Sequence, residues 1–478
     1  MMITLERMTL DAAAYLESNA ICPKHRVEHT GSLCYLLDFY AASGEVEKGR
    51  QRIKLLMDRI IESAGARVFY PGHLDPMNMS QNVIDTGAAI DAIARFMYTY
   101  RALFSAAEHS DYGGRMRDVA DSYLRTAVRD KTITNQRLWG VTGLASYARY
   151  AGTHEYDTLI GASIERAFQD MTPDGFFLYM PHAKEQGNFE GYDGITAFYQ
   201  SRCTAFIRYA LSVTGIDPSP FEERLRKSER ALLMMYRADG ITDLRLECKR
   251  WYWQSSYEVA SSGFDAYALA ASSEPMASAA LHNVLYQVRR HFAHGMLQSH
   301  IGAPVNFQCP VFWTAHLAWL LRVKEIGDRF DAAAGLVPFA YRFEGIEVFS
   351  DTTETRRILV NGRWQARNFN EGIYDTGLLG KATWKLRAPS LPPAFLFSVR
   401  ETANHTWYAL RGGYVREAAL RVFRFAVECC VMLLPRYSVE YGKVESMERK
   451  TDRCTVTIRP ATKYGTLHRA TVSVDLLV

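Results

Sequence analysis

Residues Asn82–Tyr100 read NVIDTGAAIDAIARFMYTY. Apolar residues recur there every three to four positions, which is the period of an α-helix. Apolar and small residues dominate and charges are few, so this helix is expected to be enclosed by neighbours rather than laid on a surface. Five further segments share its character: Leu33–Ala42, Arg137–Tyr150, Ile195–Val213, Glu258–Ala271 and Pro310–Ile326. They begin near residues 31, 137, 194, 258 and 310, so with Asn82 the starts fall about 51 to 64 residues apart, a repeat of one supersecondary unit.

Between them lie more charged, amphipathic segments: Val46–Ser63, Arg115–Arg129, His154–Asp170, Pro220–Arg237 and Met276–Phe292. Alternating enclosed and amphipathic helices predict a ring of helical hairpins, an (α/α)6 toroid, with the apolar set inside and the amphipathic set facing solvent. An open helical solenoid is the alternative, although its repeat is usually shorter.

The pattern changes near Gly335. Period-two alternation then predicts strands at Ile346–Ser350, Arg357–Val360, Ala394–Arg400, Thr406–Leu410, Ala426–Leu434, Thr455–Arg459 and Ala470–Leu477. APSLPP at 388–393 reads as a loop, because consecutive prolines cannot feed a hydrogen-bonded ladder. The expected architecture is therefore α+β and multidomain. A helical toroid, 1–330, is followed by an antiparallel β-sandwich, 338–478, across a linker at about 327–337.

A chain of 478 residues suits two or three domains. Hydrophobic residues at 48% and charged residues at 23% exclude a disordered or collagen-like chain. The net charge of +4 is too small to indicate nucleic acid, though clustered cations would suit an acidic substrate. No apolar run approaches the roughly 18 residues of a membrane span, so no membrane partner is expected. The eight cysteines lack CxxC or zinc-ligand spacing, and the first twenty residues carry acids where a signal peptide needs an apolar block. Both features point to the cytoplasm; a leader removed from the chain would make the protein secreted instead.

In a helical ring the loops at one rim frame the cleft. PGHLDPMNMSQNVIDTG at 71–87 offers His73, Asn78, Asn82 and Asp85, and ITNQRLWG at 133–140 offers Asn135, Arg137 and Trp139. LRLECKRWYWQSSYE at 244–258 offers Arg245, Lys249, Arg250, Trp251, Trp253 and Tyr257, and SHIGAPVNFQCP at 299–310 is a lesser candidate. The longest stretch is TPDGFFLYMPHAKEQGNFEGYDGITAFYQSR at 172–202, with His182, Glu190, Tyr192, Asp193, Tyr199 and Arg202. It exceeds the usual helix–helix connection, and Gly187, Gly191 and Gly194 permit an irregular path. Two readings stand side by side: His182 and a tyrosine project into the cleft, or His182 hydrogen-bonds its own loop while Tyr192 and Tyr199 simply pack.

The order of helical ring then sandwich resembles polysaccharide lyases of the chondroitin AC/hyaluronate lyase type and, more loosely, alginate and heparin lyases. Asp174-Gly175-Phe176-Phe177, then His182, then Gly191-Tyr192-Asp193-Gly194 is similar to the stretch that carries the catalytic His and Tyr in those families. The resemblance implies Asn135 as the carboxylate-binding amide and Arg250 or Arg245 as the later basic residue. It departs in having a shorter toroid and in placing the tyrosine in GYDG. No cofactor is expected, although some relatives of this architecture carry a calcium or zinc ion; the pair His291 and His294 has no third ligand in its own segment.

The chemistry asks for the same residue types. A lyase removes the C5 proton of a uronic acid and expels the 4-linked oxygen. Asn135 with Arg250 would hold the carboxylate and stabilise the charge that develops on it. His182 or Tyr192 would take the proton, and Tyr192 would return one to the leaving oxygen. A phenol titrates near ~10, so a basic tyrosine needs a cation beside it, such as Arg250, Arg245 or Arg202. Trp139, Trp251 and Trp253 would stack on sugar rings, with Asn82, Tyr199, Arg202 and Arg245 completing substrate binding. Packing at the rim is the other account of the Trp251–Trp253 pair, and pairing with an acid is the other account of Arg202. A glycoside hydrolase on the same ring would need two carboxyls from among Asp85, Asp91, Glu190 and Asp193. A non-catalytic glycan-binding protein would keep the aromatics alone.

Overall fold

A computed structural model describes residues 2–19, 30–62, 80–172, 175–181, 196–236, 240–242, 259–298 and 310–337, together with the strands between 341 and 475 and single helical positions between 403 and 426. Up to residue 337 the described residues are mainly helical: α1 (Leu5–Ser18), α2 (Thr30–Leu33), α3 (Leu36–Ala42), α4 (Val46–Glu62), α5 (Ser80–Thr99), α6 (Ala106–Val119), α7 (Arg125–Asp130), α8 (Thr134–Ala151), α9 (Asp157–Gln169), α10 (Ala197–Val213), α11 (Glu222–Met235), α12 (Ser262–Ala270), α13 (Ala277–His291), α14 (Pro310–Ala315) and α15 (Ile326–Ala332). A 3₁₀ stretch, His316–Arg322, continues α14. The hairpin β1 (Phe292–Ala293) and β2 (Met296–Leu297) follows α13.

Local signals set several ends. Ser105 and Glu108 close a reciprocal capping box at the start of α6, the S-x-x-E signature that satisfies two otherwise unpaired backbone donors. Gly152 ends α8 in the left-handed conformation that costs glycine least. One π-turn, Ala120–Leu124, joins α6 to α7.

The enclosed helices neighbour one another in a cycle. Contacts run from α3 to α5, α8, α10, α12 and the 3₁₀ stretch, which contacts α3 again. Their pairings are parallel. Tyr35 meets Asp91 as Asp38 meets Arg95, Phe206 meets Phe264 as Tyr209 meets Tyr267, and Phe264 and Tyr267 both meet Trp319. Their N-termini therefore share one rim. Small residues set the closest approach: Gly143 lies where a Cβ would come within 2.9 Å of the Gly87 carbonyl oxygen, so α5 and α8 pack backbone to backbone. Outside the cycle, α4, the joined α6 and α7, α9, α11 and α13 each lie against an enclosed partner. The sixth outer place is shared by α1 and α15, from opposite ends of the helical region. This layout is compatible with the ring of hairpins expected from the repeat.

The interior is a continuous apolar cluster that includes Trp139, Phe206, Phe264 and Trp319. Burying one such large side chain contributes roughly 2–3 kcal/mol.

The expected linker at 327–337 is not an open tether. It is helical to Ala332, with Phe330 buried. Arg289 donates to the Asp331 and Ala333 carbonyls, and the Asn283 side chain exchanges hydrogen bonds with Val337.

Further on, β3 (Tyr341–Phe343), β4 (Ile346–Ser350), β5 (Arg356–Val360), β6 (Arg363–Asn368), β7 (Gly372–Thr376), β8 (Ala382–Lys385) and β9 (Ser438–Glu440) form an antiparallel sheet in sequence order. A second sheet comprises β10 (Gly442–Arg449), β11 (Arg453–Thr462), β12 (Gly465–Thr466) and β13 (Ala470–Asp475). Four expected strands, at 346, 357, 455 and 470, coincide with β4, β5, β11 and β13.

The expected strand Thr406–Leu410 is corrected at its described residues, and of the expected strand Ala426–Leu434 only Ala426 is described. Thr406, Trp407 and Leu410 are helical, as is Ala426. Ala403, Val415, Ala418, Ala419, Val422 and Phe423 are also helical. The expected strand Ala394–Arg400 lies outside the described residues.

Candidate functional site

The two ends of the enclosed helices differ. Away from the rim where α8 and α10 begin, a buried ionic network ties the cycle together. Arg322 Nη2 lies 2.6 Å from Asp91 Oδ2 and 3.6 Å from Asp38 Oδ2. Arg95 forks onto both oxygens of Asp38. Ser146 donates to Asp91 Oδ1 at 2.6 Å, and the Tyr35 hydroxyl donates to Asp91 Oδ2 at 3.2 Å. Tyr209 pairs with the Ser146 hydroxyl at 2.8 Å. The Arg322 guanidinium lies over the Trp319 ring at 3.8 Å.

Burial, then the Asp91 charge, pushes the Tyr35 hydroxyl well above the usual phenol range, and the same causes raise Tyr209. Burial pulls Arg95 down, but Asp38 and Asp91 outweigh it and keep the guanidinium charged. This end is a filled core. Asp91 is fully enclosed with both oxygens engaged, so it cannot act as the catalytic carboxyl proposed for a hydrolase. Asp85 is likewise fully buried, on α5.

The opposite rim carries the nominated residues that are described. Asn135 and Trp139 stand on the first turns of α8, within a helix rather than the loop expected at 133–140. The Thr134 N–H donates to the Tyr179 carbonyl, which ties the start of α8 to the segment before α10. Asn135 is buried, and its side-chain oxygen has no hydrogen-bond partner among the described residues. Oxygen and nitrogen of an amide exchange by a half-turn, so either can face this gap. Arg137 is also buried there; it donates to the Lys131 carbonyl and to Asp170, and desolvation pushes it down to about 10.

Trp139 corrects the expectation of a sugar-stacking ring. It is 1% exposed and packs among Phe206, His316, Phe264 and Tyr35, so no face of the indole is open to a sugar.

Tyr199 and Arg202 occupy the first turns of α10. The half-buried Tyr199 ring stacks on Tyr179, 5.9 Å apart and 16° from parallel. Arg202 is buried with its guanidinium 4.6 Å from Phe198, 4.8 Å from Trp313, 5.0 Å from Tyr199 and 5.1 Å from Phe264, and it donates to Ser261. Cation–π attraction in such a desolvated setting is worth about 2 kcal/mol. Burial pushes the nearby Asp265 carboxyl upward, against the opposing pull of Ser201, Tyr236 and Arg202.

Tyr199 and Arg202 are thus brought together, and Asn135 shares their rim through Thr134 and Tyr179. Asn82 is in α5, but its side chain is outside the described residues. His182, Glu190, Tyr192, Asp193, Arg245, Arg250, Trp251 and Trp253 also lie outside them. Two neighbours at this rim were not singled out by sequence reasoning. Gln200 and Tyr179 lay in plain view within 172–202, but their roles depend on partners far away in the chain.

Among the described residues no group of histidine, cysteine, aspartate and glutamate could hold a metal ion, and no helix is long and apolar enough to cross a membrane. Comparison with known families and with curated proteins finds no match for this chain.

Proposed function

We propose that the chain is an (α/α)6 toroid followed by a β-sandwich, and that it cleaves a uronic-acid-containing glycan by β-elimination. The observation that carries this reading is the polarity of the ring. One end is filled by a buried ionic core, and the other brings Asn135, on the first turn of α8, close to Tyr199, on the first turn of α10, through Thr134 and Tyr179. A buried amide oxygen left without a partner costs a fold about 1–3 kcal/mol, which is tolerable where a ligand supplies the missing bond. Asn135 would hold the substrate carboxylate. Arg250 would assist it, His182 or Tyr192 would remove the C5 proton, and Tyr192 would protonate the departing oxygen. Tyr199 would border the bound sugar, whereas Arg202, nominated for substrate binding, is buried among four aromatic rings and would support Tyr199 from behind.

The test is incubation with a panel of uronate polymers. A lyase yields unsaturated, ultraviolet-absorbing ends. A hydrolase yields reducing ends without absorbance, and a binding protein yields neither. His182→Ala, Tyr192→Phe and Asn135→Ala are each expected to abolish product while the far-ultraviolet circular dichroism is unchanged. Full activity in Tyr192→Phe would transfer its role to Tyr199.

A further inference from the structure

Four consecutive buried polar residues open α8: Thr134, Asn135, Gln136 and Arg137, none more than 4% exposed. The residue before them, Ile133, has no side-chain acceptor, and no side chain caps the helix. An α-helix leaves its first N–H groups without an internal partner. Here Thr134 donates to the Tyr179 carbonyl at 3.2 Å, whereas no acceptor meets the N–H groups of Asn135 and Gln136 among the described residues. The side chains repeat the pattern. Asn135 Oδ1, Gln136 Oε1, Thr134 Oγ1 and Arg137 Nε are each buried without a hydrogen-bond partner among the described residues. Folded proteins leave few buried polar groups unmet, and here a whole turn of them falls together.

These groups converge. The Cα–Cβ bonds of a helix lean toward its N-terminus, so first-turn side chains gather about that end rather than along the flank. The end itself carries the positive pole of an eighteen-residue helix, which favours an anion. A half-turn of either amide presents its nitrogen as a donor. Two adjacent backbone N–H groups and two amides suit the two oxygens of a carboxylate, each of which accepts more than one bond. The surrounding charge agrees. Arg129 pairs with Asp130 and Arg137 with Asp170, which leaves the charge of Arg166 in excess. Burial and then the nearby Arg166 charge lower Arg137, a sign of that surplus. A small surplus suits a single negative charge better than a phosphate dianion.

We propose that the first turn of α8 is a carboxylate-binding site, in which the side chain of Gln136 acts beside that of Asn135 and their two backbone N–H groups receive the acid group of a uronic sugar. The identity of the sugar rests on the lyase reading; the carboxylate site stands on α8 alone.

The test is thermal unfolding of the full chain with sodium D-glucuronate and sodium D-galacturonate, at an ionic strength matched with sodium chloride and with D-glucose as the uncharged comparator. A ligand that binds only the folded chain raises the unfolding temperature by roughly 3–6 °C at ten times its dissociation constant. A saturable rise is expected with a uronate and none with glucose. Gln136→Met keeps the length of the side chain and removes the amide, and it should weaken uronate binding at least about tenfold, the loss of one hydrogen bond to a charged group. Gln136→Glu puts a carboxylate of the chain's own at the positive end of α8, where an acid is favourable, so it should fold and show no uronate response. It also serves if the methionine variant does not fold. Ser163→Ala, which removes a bond to the Val128 carbonyl on α7, should respond as wild type does. On a uronate polymer that the wild type cleaves, Gln136→Met should raise KM more than it lowers kcat, as expected when binding common to substrate and transition state is lost.

No saturable response to either uronate in the wild type, or an unchanged response in both Gln136 variants, overturns the site. An equal response to glucose also overturns it, since the acid group is then not what binds. A wild-type chain that binds a uronate and forms no unsaturated product overturns the lyase reading and leaves the carboxylate site in place.

Discussion

Removing Arg322 tests whether the ionic network closes the ring. Arg322 lies on the last enclosed element and reaches carboxylates on the first two, Asp38 and Asp91. In Arg322→Met the side chain keeps a similar apolar length, but Arg95 is left to balance two acids. Breaking a buried pair by deleting one partner costs about 3–5 kcal/mol, because the abandoned charge remains desolvated. Here the loss should fall at the lower end, about 3 kcal/mol, since Ser146 and Tyr35 still donate to Asp91 and Arg95 still forks onto Asp38.

For a domain of this size about 2–4 °C accompanies each kcal/mol, so thermal unfolding should begin roughly 6–12 °C lower. Tryptophan fluorescence is a suitable assay, because Trp319 lies directly beneath the guanidinium. Asp91→Asn in the same chain restores neutrality and should recover part of the loss, so the double variant is less destabilised than the sum of the singles. An unfolding temperature within a degree of wild type for Arg322→Met, or strict additivity in the double variant, would refute the idea that this network locks the cycle.

Gly87→Ala places a methyl group against the Trp139 carbonyl and should force α5 and α8 apart, lowering stability by about 1–3 kcal/mol in a denaturant titration; a wild-type midpoint would show that the approach is slack. Glu165, bound through both oxygens to Arg224 at 2.7 Å, is held below the usual glutamate range chiefly by that hydrogen bond. Its contribution is therefore present above the unfolded carboxyl's pKa near ~4.3 and is lost as pH falls through the lower folded value. Glu165→Gln should flatten the loss of stability below that pH, and an unchanged acid limb in the variant would remove Glu165 from the account.

The helical region was legible in the sequence because burial of a helix imprints its own period. The apolar segment at Asn82–Tyr100 and its five companions become the enclosed cycle, and their amphipathic partners surround it. The split outer place of α1 and α15 was not legible, since two helices from distant parts of the chain share no repeat. Nor was the difference between strand and helix at Thr406–Leu410, where a short apolar run satisfies either period.

At the candidate site, sequence gave residue types and could not give exposure. Trp139 and Tyr199 are both aromatics beside nominated stretches, yet one is core and the other half-open, according to which way the first turns of α8 and α10 face. Asp91 shows the same limit. As a residue type it qualifies as a catalytic carboxyl, and only the convergence of Tyr35, Ser146 and Arg322 makes it part of the core. Periodicity is written locally, one turn at a time, whereas the balance of a buried charge is set by groups that meet only after the cycle has formed.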